Sequence, residues 1–241
     1  MARRQRTAIT APWLVAGMAA LVVLAIPGCA APSVGSAMTG LPRPSSSDHP
    51  DDTLLRKAAT GDAAAVTASL AAGADVEARD ARRRTALLLA AAADHVEAAR
   101  VLVAAGADPD ALDDQHDTPW LVTGVTGSVA MLEVLLPADP DLTIVNRYGG
   151  VSVIPASERG HVAYVRRVVT TAIDVNHVNR LGWTALLEAV ILGDGGRDHQ
   201  EIVRILLAAG ADASIGDHDG RTALDHAREK GYEEIAAILG G

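Results

Sequence analysis

From Asp52 onward the chain runs on a fixed interval. The positions that open each apolar helical run are Asp52, Thr85, Thr118, Val151, Thr184 and Thr222, spaced by 33 residues four times and then by 38. A unit of that length cannot bury its apolar face alone. It must lay that face on its neighbours, so the interval by itself calls for a stack of similar layers.

The local chemistry of each unit agrees with this. Thr85, Thr118, Thr184 and Thr222 suit a helix N-cap, where the hydroxyl accepts a backbone N–H. Nine residues after each opening position, Gly61, Gly127, Gly160, Gly193 and Gly231 supply the left-handed turn that stops a first helix, and Asp94 stands there in the second unit. A second apolar helix follows with helical spacing, as in Met131, Leu132, Leu135 and Leu136, or Ile202, Val203, Leu206 and Leu207. Gly-Ala-Asp closes the unit at 73–75, 106–108 and 210–212. Asp80, Asp113, Asn146, Asn179 and Asp217 each lie five residues before an opening position, where such side chains hold a tight turn.

These motifs resemble the ankyrin repeat. Thr-x-Leu stands at 85–87, 184–186 and 222–224, Thr-Pro at 118–119, and His95 and His161 fill the family's Gly-His position. The resemblance covers about residues 51–241. It implies an all-α solenoid of about six helix–turn–helix units joined by β-turn fingers, with bounds 51–84, 85–117, 118–150, 151–183, 184–221 and 222–241. It also implies a concave side, formed by the fingers and the exposed faces of the first helices, that binds partner proteins.

The departures from the pattern carry expectations of their own. Asp139 and Ala172 stand where Gly would end the second helix, and Pro137 and Pro155 interrupt the third and fourth units. Ala tolerates a left-handed turn poorly, so this middle region is expected to be the least stable. The fifth unit carries five extra residues within Asp194–His199, expected as a projecting loop between its helices. Trp120 takes the place of the Leu in the opening motif and is expected in the core, as is Tyr164. Tyr232 replaces the usual His and is expected to pack locally. Glu229, Lys230, Glu233 and Glu234 give the last unit the polar surface of a cap.

The first 28 residues stand apart as a signal peptide. Arg3, Arg4 and Arg6 precede an uncharged run from Ala11 to Ile26, too short for a membrane span of about 20 residues. Ile26-Pro27-Gly28-Cys29 then resembles the lipobox of bacterial lipoproteins, which implies acylation of Cys29 and export of everything after it; an uncleaved signal anchor is the alternative, with the same topology. Residues 29–50, rich in Ala, Pro, Ser and Gly, read as a flexible tether with a reach of about 25 Å. Cys29 is the only cysteine, so no disulfide is expected in the repeat domain. Without the leader the chain holds 18 basic and 30 acidic side chains, a net charge of −12. Such a balance argues against nucleic acid as a partner.

Candidate binding residues follow from exposure on the concave side. Leu181 and Trp183 in the fifth finger, Tyr148 in the fourth, and Ile191 and Leu192 at the end of the fifth unit's first helix are read as one apolar patch. Arg82, Arg83 and Arg84 form a basic finger that would suit an acidic partner, or else a solvated turn. No metal or cofactor is expected: Asp194, Asp198 and His199 match neither a calcium loop nor a zinc pattern. Neither a nucleophile elbow nor a phosphate loop is present, so no catalytic residue is assigned. The resulting expectation is a non-enzymatic, monomeric interaction module, lipid-anchored through Cys29 outside a bacterial cell membrane and holding an exported protein. The alternative is an inhibitor or regulator of an exported enzyme or toxin.

Overall fold

A computed structural model describes residues 49–240. The leader, Cys29 and most of the tether lie outside the described residues. Twelve α-helices and one 3-10 helix (Leu136–Ala138) occur among them: α1 (Pro50–Ala59), α2 (Ala63–Ala71), α3 (Ala86–Ala92), α4 (Val96–Ala104), α5 (Pro119–Thr126), α6 (Val129–Leu135), α7 (Val153–Glu158), α8 (Val162–Val168), α9 (Ala185–Ile191), α10 (Arg197–Ala208), α11 (Ala223–Lys230) and α12 (Glu233–Gly240). Apart from one isolated antiparallel bridge, Arg79 with Thr85, no extended pairing occurs among the described residues. The α-helices form six antiparallel pairs. Odd-numbered helices pack on odd and even on even, giving two layers.

The opening threonines do the work their spacing implies. The hydroxyls of Thr85, Thr118, Thr184 and Thr222 accept the N–H of Leu88, Leu121, Leu187 and Asp225, three residues on. A single apolar core runs through the stack from Leu54 to Ile235. Trp120 and Tyr164 are both fully buried in it, and Tyr164 Oη lies 2.7 Å from the Thr123 hydroxyl. The fourth unit is the least regular. Its first helix, α7, has six residues, and Ser152 at its N-cap makes no capping bond.

The glycine stops have a second cause beyond their left-handed backbone. His95 Nε2–H donates to the Ala59 carbonyl at 3.2 Å, and His161 Nε2–H to the Val125 carbonyl at 3.1 Å. Each ring lies on the glycine of the preceding unit, so that a Cβ on Gly61 would sit 2.6 Å from His95 Nδ1. Asp94 is tolerated in the second unit because Ser128, and no ring, stands one repeat later.

Two expectations need amending. Ala172 does not enter the left-handed region, whereas Asp139 does, with φ 55°. The end of α8 is closed by Thr171, whose hydroxyl donates to the Val168 carbonyl and accepts from Ile173 N–H. The five extra residues of the fifth unit are not a free loop either. They lengthen α10 to 12 residues and move the left-handed stop from Gly193 to Gly195, φ 73°. His199 then takes the histidine place, donating from Nε2 to the Glu158 carbonyl at 3.0 Å. Tyr232 reaches farther than a histidine does, so its hydroxyl bonds the Gly193 carbonyl at 3.0 Å while its ring lies on Gly195.

Candidate functional site

Five fingers share one local construction. Asp80, Asp113, Asn146, Asn179 and Asp217 each turn Oδ1 inward to accept two backbone N–H groups, two and four residues ahead, at 2.7–3.1 Å. The tip residue is left-handed in all five: Arg83, His116, Gly149, Gly182 and Gly220. Neighbouring fingers are tied together. Arg79 donates to the Leu112 carbonyl at 2.7 Å, Arg180 N–H to the Tyr148 carbonyl at 3.0 Å, and the Arg180 guanidinium to the Arg147 carbonyl at 2.7 Å.

The fifth finger differs from the rest in what holds its base. Asn179 is buried, and while its Oδ1 accepts from Leu181 and Trp183, its Nδ2 donates 2.7 Å to Glu188 Oε1 on α9. Glu188 is fully buried, and its Oε2 has no hydrogen-bond partner among the described residues. Burial first, and the charge of Glu158 second, push its pKa up to about 8, against the pull of the Asn179 bond. The sixth finger has a parallel arrangement: Asp217 Oδ2 meets His226 Nε2 at 2.8 Å, again nine residues apart. In the second, third and fourth units the corresponding position holds Leu89, Val122 or Pro155.

The apolar candidates separate into two places. Tyr148 and Leu181 occupy the same register on consecutive fingers. Leu181 is exposed, whereas Tyr148 is half-buried with the Arg147 guanidinium over its ring at 4.8 Å. Trp183 is half-buried and packs on the core. Ile191 also packs on the core and Leu192 is half-buried. Both stand at the far end of α9 from Trp183, a helix of seven residues and so about 10 Å long. Sequence reading missed Val178, the most exposed large apolar side chain described, and Leu112, which holds the same register two units earlier. Their position just before the finger's Asx residue is the signal that locates them.

The basic finger divides likewise. Arg84 binds Asp80 Oδ2 through Nε at 2.8 Å and through a terminal nitrogen at 2.6 Å. Burial pushes Asp80 upward, but Arg84 and the two finger amides outweigh it and leave the carboxyl below its usual range. Arg83 lies 3.9 Å from Asp114. Arg82 is exposed and forms no ion pair among the described residues. Around the insert, Arg159, Gly160, Asp194, Gly196, Arg197, Asp198 and His199 line an open pocket of about 220 Å³. His199 Nδ1 is 2.8 Å from Asp194 there, and the Gly196 amide, ahead of His199, holds the Asp194 carboxyl below its usual range. No group of three or more His, Cys, Asp or Glu suited to a metal ion occurs among the described residues.

The family profile described as "Ankyrin repeats (3 copies)" matches residues 54–146 and 153–240. This chain belongs to the ankyrin-repeat family. Among solved structures it is similar to an ankyrin-repeat domain from Acinetobacter baumannii AYE, with 46% identity and a TM-score of 0.74 over 77% of this chain and 95% of that one. The ankyrin-repeat protein EF0377 shares 38% identity and a TM-score of 0.76 over 79% of this chain and 97% of its own. The ankyrin-repeat domain of Bcl-3, at 24% identity and a TM-score of 0.70, shares the fold over 78% of this chain and 84% of its own. The ankyrin-repeat protein YahD of Escherichia coli (strain K12) is 52% identical over 56 residues, which is 23% of this chain and 28% of that protein. The chain thus spans little more than a quarter of that relative's length. Ankyrin repeats are protein-interaction modules.

Proposed function

We propose that this chain is a non-enzymatic binding module that grips an exported protein through its fingers. One observation carries the reading. Of the four exposed large apolar side chains among the described residues, Leu112, Val178 and Leu181 stand in fingers, and Val125 on a first helix. Apolar side chains held outward on a rigid turn gain most from a partner that removes them from water. Trp183 and Tyr148 support this edge from half-buried positions, and Arg82 extends it as an exposed charge.

The setting belongs to the same proposal. The lipobox-like Ile26–Cys29 would place the lipid on Cys29, and residues 29–50 would carry the domain clear of the membrane. No helix among the described residues is long and apolar enough to cross a membrane.

The test is capture of exported proteins by the immobilised full-length chain, compared with Leu181→Glu and Val178→Asp. Both substitutions fall on exposed side chains and should leave the fold intact. Arg204→Glu, on the exposed face of α10, is the control. The expected result is a protein held by the wild type and the control and lost, at least tenfold, by the finger variants. Equal retention by all four would remove the binding site from the fifth finger. Assay of the captured protein's own activity then separates a scaffold from an inhibitor.

A further inference from the structure

The fifth finger is the described finger whose base is tied to a buried, unpaired carboxyl. Asn179 is the hinge of that connection. Its Oδ1 fixes the Leu181 and Trp183 amides, and its Nδ2 reaches Glu188 Oε1 at 2.7 Å. Since Oε1 receives that bond, the carboxyl proton belongs on Oε2, which has no partner among the described residues. We propose that Glu188 is a protonation-dependent latch: the neutral acid holds the fifth finger in its binding shape, and loss of the proton releases it. This regulatory meaning rests on the reading of that finger as the binding edge.

The surroundings give the proposal its direction. On α7 the ionisable side chain is Glu158, and its negative charge opposes ionisation of Glu188. α11 contributes His226, which is held by Asp217. α10 contributes His199, whose two ring nitrogens face Asp194 and the Glu158 carbonyl. The remaining charged side chains of α10 and α11 are exposed, apart from Glu201, which pairs with Arg166. In the loop before α9, His177 points its Nε2 to the Gly149 carbonyl. No cation among these is engaged with Glu188, so an ionised carboxylate has no counter-charge in place and must turn toward water. Turning breaks the bond to Asn179, and the amide that organises the finger loses its fixed orientation. Burial and Glu158 raise the carboxyl from 4.5 to about 8, so the hold on the finger weakens as pH rises across that window. The sixth finger leaves no such carboxyl oxygen unpartnered, since Asp217 Oδ2 meets His226 Nε2 at 2.8 Å.

Hydrogen exchange of the full-length chain, read by mass spectrometry between pH 4 and 9, tests the latch without any partner. Wild type is compared with Glu188→Gln at each pH, which cancels the intrinsic pH dependence of exchange. The expected result is equal protection of residues 179–184 at pH 4, where Glu188 is neutral whether the finger is held or released. The ratio of wild-type to variant exchange there then rises with pH above 4.5, reaches at least about tenfold by pH 8 and levels off beyond it. Residues 113–118, in the third finger, keep a ratio near one throughout. Glu158→Gln should keep the transition and move it to lower pH. A ratio in the fifth finger that does not change with pH overturns the proposal. Should Glu188→Gln fail to fold, carboxyl-carbon NMR of the wild type decides: a midpoint for Glu188 in the ordinary carboxylate range overturns the latch, and one near 8 supports it. Because no partner enters, a fifth finger that binds nothing would sink the proposed function and leave this result standing.

Discussion

The second and fifth fingers have the same backbone and opposite chemistry. In each, an Asx side chain accepts two amides through Oδ1, from Arg82 and Arg84 in one and from Leu181 and Trp183 in the other. The spare atom makes the difference. Asp80 turns Oδ2 to a cation, Arg84, at 2.6 Å. Asn179 turns Nδ2 inward to the buried acid Glu188. One finger therefore satisfies its charges at the surface, and the other passes its anchoring bond into the core. The pH signs are opposite as a result. Asp80 has a lowered pKa, so its stabilisation is present above its ordinary value of 3.8 and is lost as pH falls through the folded value. Glu188 is raised from 4.5 to about 8, so its contribution is full below 4.5 and is lost as pH rises toward 8.

The sharpest way to break this contrast is Glu188→Gln. Glutamine keeps an oxygen for Asn179 and has no charge to bury. At pH 8 the variant should exceed the wild type in stability by on the order of 3 kcal/mol, and at pH 4 the two should agree within about 0.5 kcal/mol. Urea unfolding at the two pH values measures the gap. A gap of equal size at both would mean that packing, and not ionisation, separates the two side chains.

Asp80→Asn is the smaller, mirror-image change, since it gives the second finger the Asx residue of the fourth and fifth. Oδ1 still accepts the two amides, but the ionic bond to Arg84 is lost. The expected loss is about 1 kcal/mol at pH 7. The gap should close as pH falls below the usual Asp range, because the wild-type carboxyl is then neutral as well. A gap that widens in acid would contradict the assigned direction.

How much of this contrast the residues reveal in advance depends on whether the determinant is local. The 33-residue interval, the threonine caps and the Asx turns are contained within a few neighbouring residues, and the fold was readable from them. Trp120 fills a motif position whose burial the stack dictates, and it is fully buried. The site was only partly readable. Arg82, Arg83 and Arg84 look equivalent in sequence, yet the partner of Arg84 lies four residues back and only folding shows that it is occupied. Ile191 and Trp183 look like neighbours on one patch, but α9 stands between them. Glu188 is inconspicuous inside the run Leu186–Val190, because its burial is set by α7 and α11, one unit away on either side. The insert hid its own solution. Counting five extra residues does not say which helix absorbs them, and His199 becomes recognisable as the fifth unit's packing histidine only when its bond to Glu158 is seen.

The smallest effect expected is at the fingertips. Arg83 holds φ 60°, where a side chain costs about 1 kcal/mol relative to glycine. The fifth finger has Gly182 at that point. Arg83→Gly relieves the strain but makes the unfolded chain freer, so the net gain should be about 0.5 kcal/mol in urea unfolding. The ion pair given up adds little, being 3.9 Å long and exposed on both sides. The reverse exchange is not symmetric. A Cβ on Gly182 would lie 3.0 Å from the His218 ring, so Gly182→Ala combines strain with crowding and should cost more than Arg83→Gly gains. If Arg83→Gly instead weakens the protein, the arginine tip contributes a contact that outweighs its strain, and the second finger's basic run would have a structural use beyond Arg84.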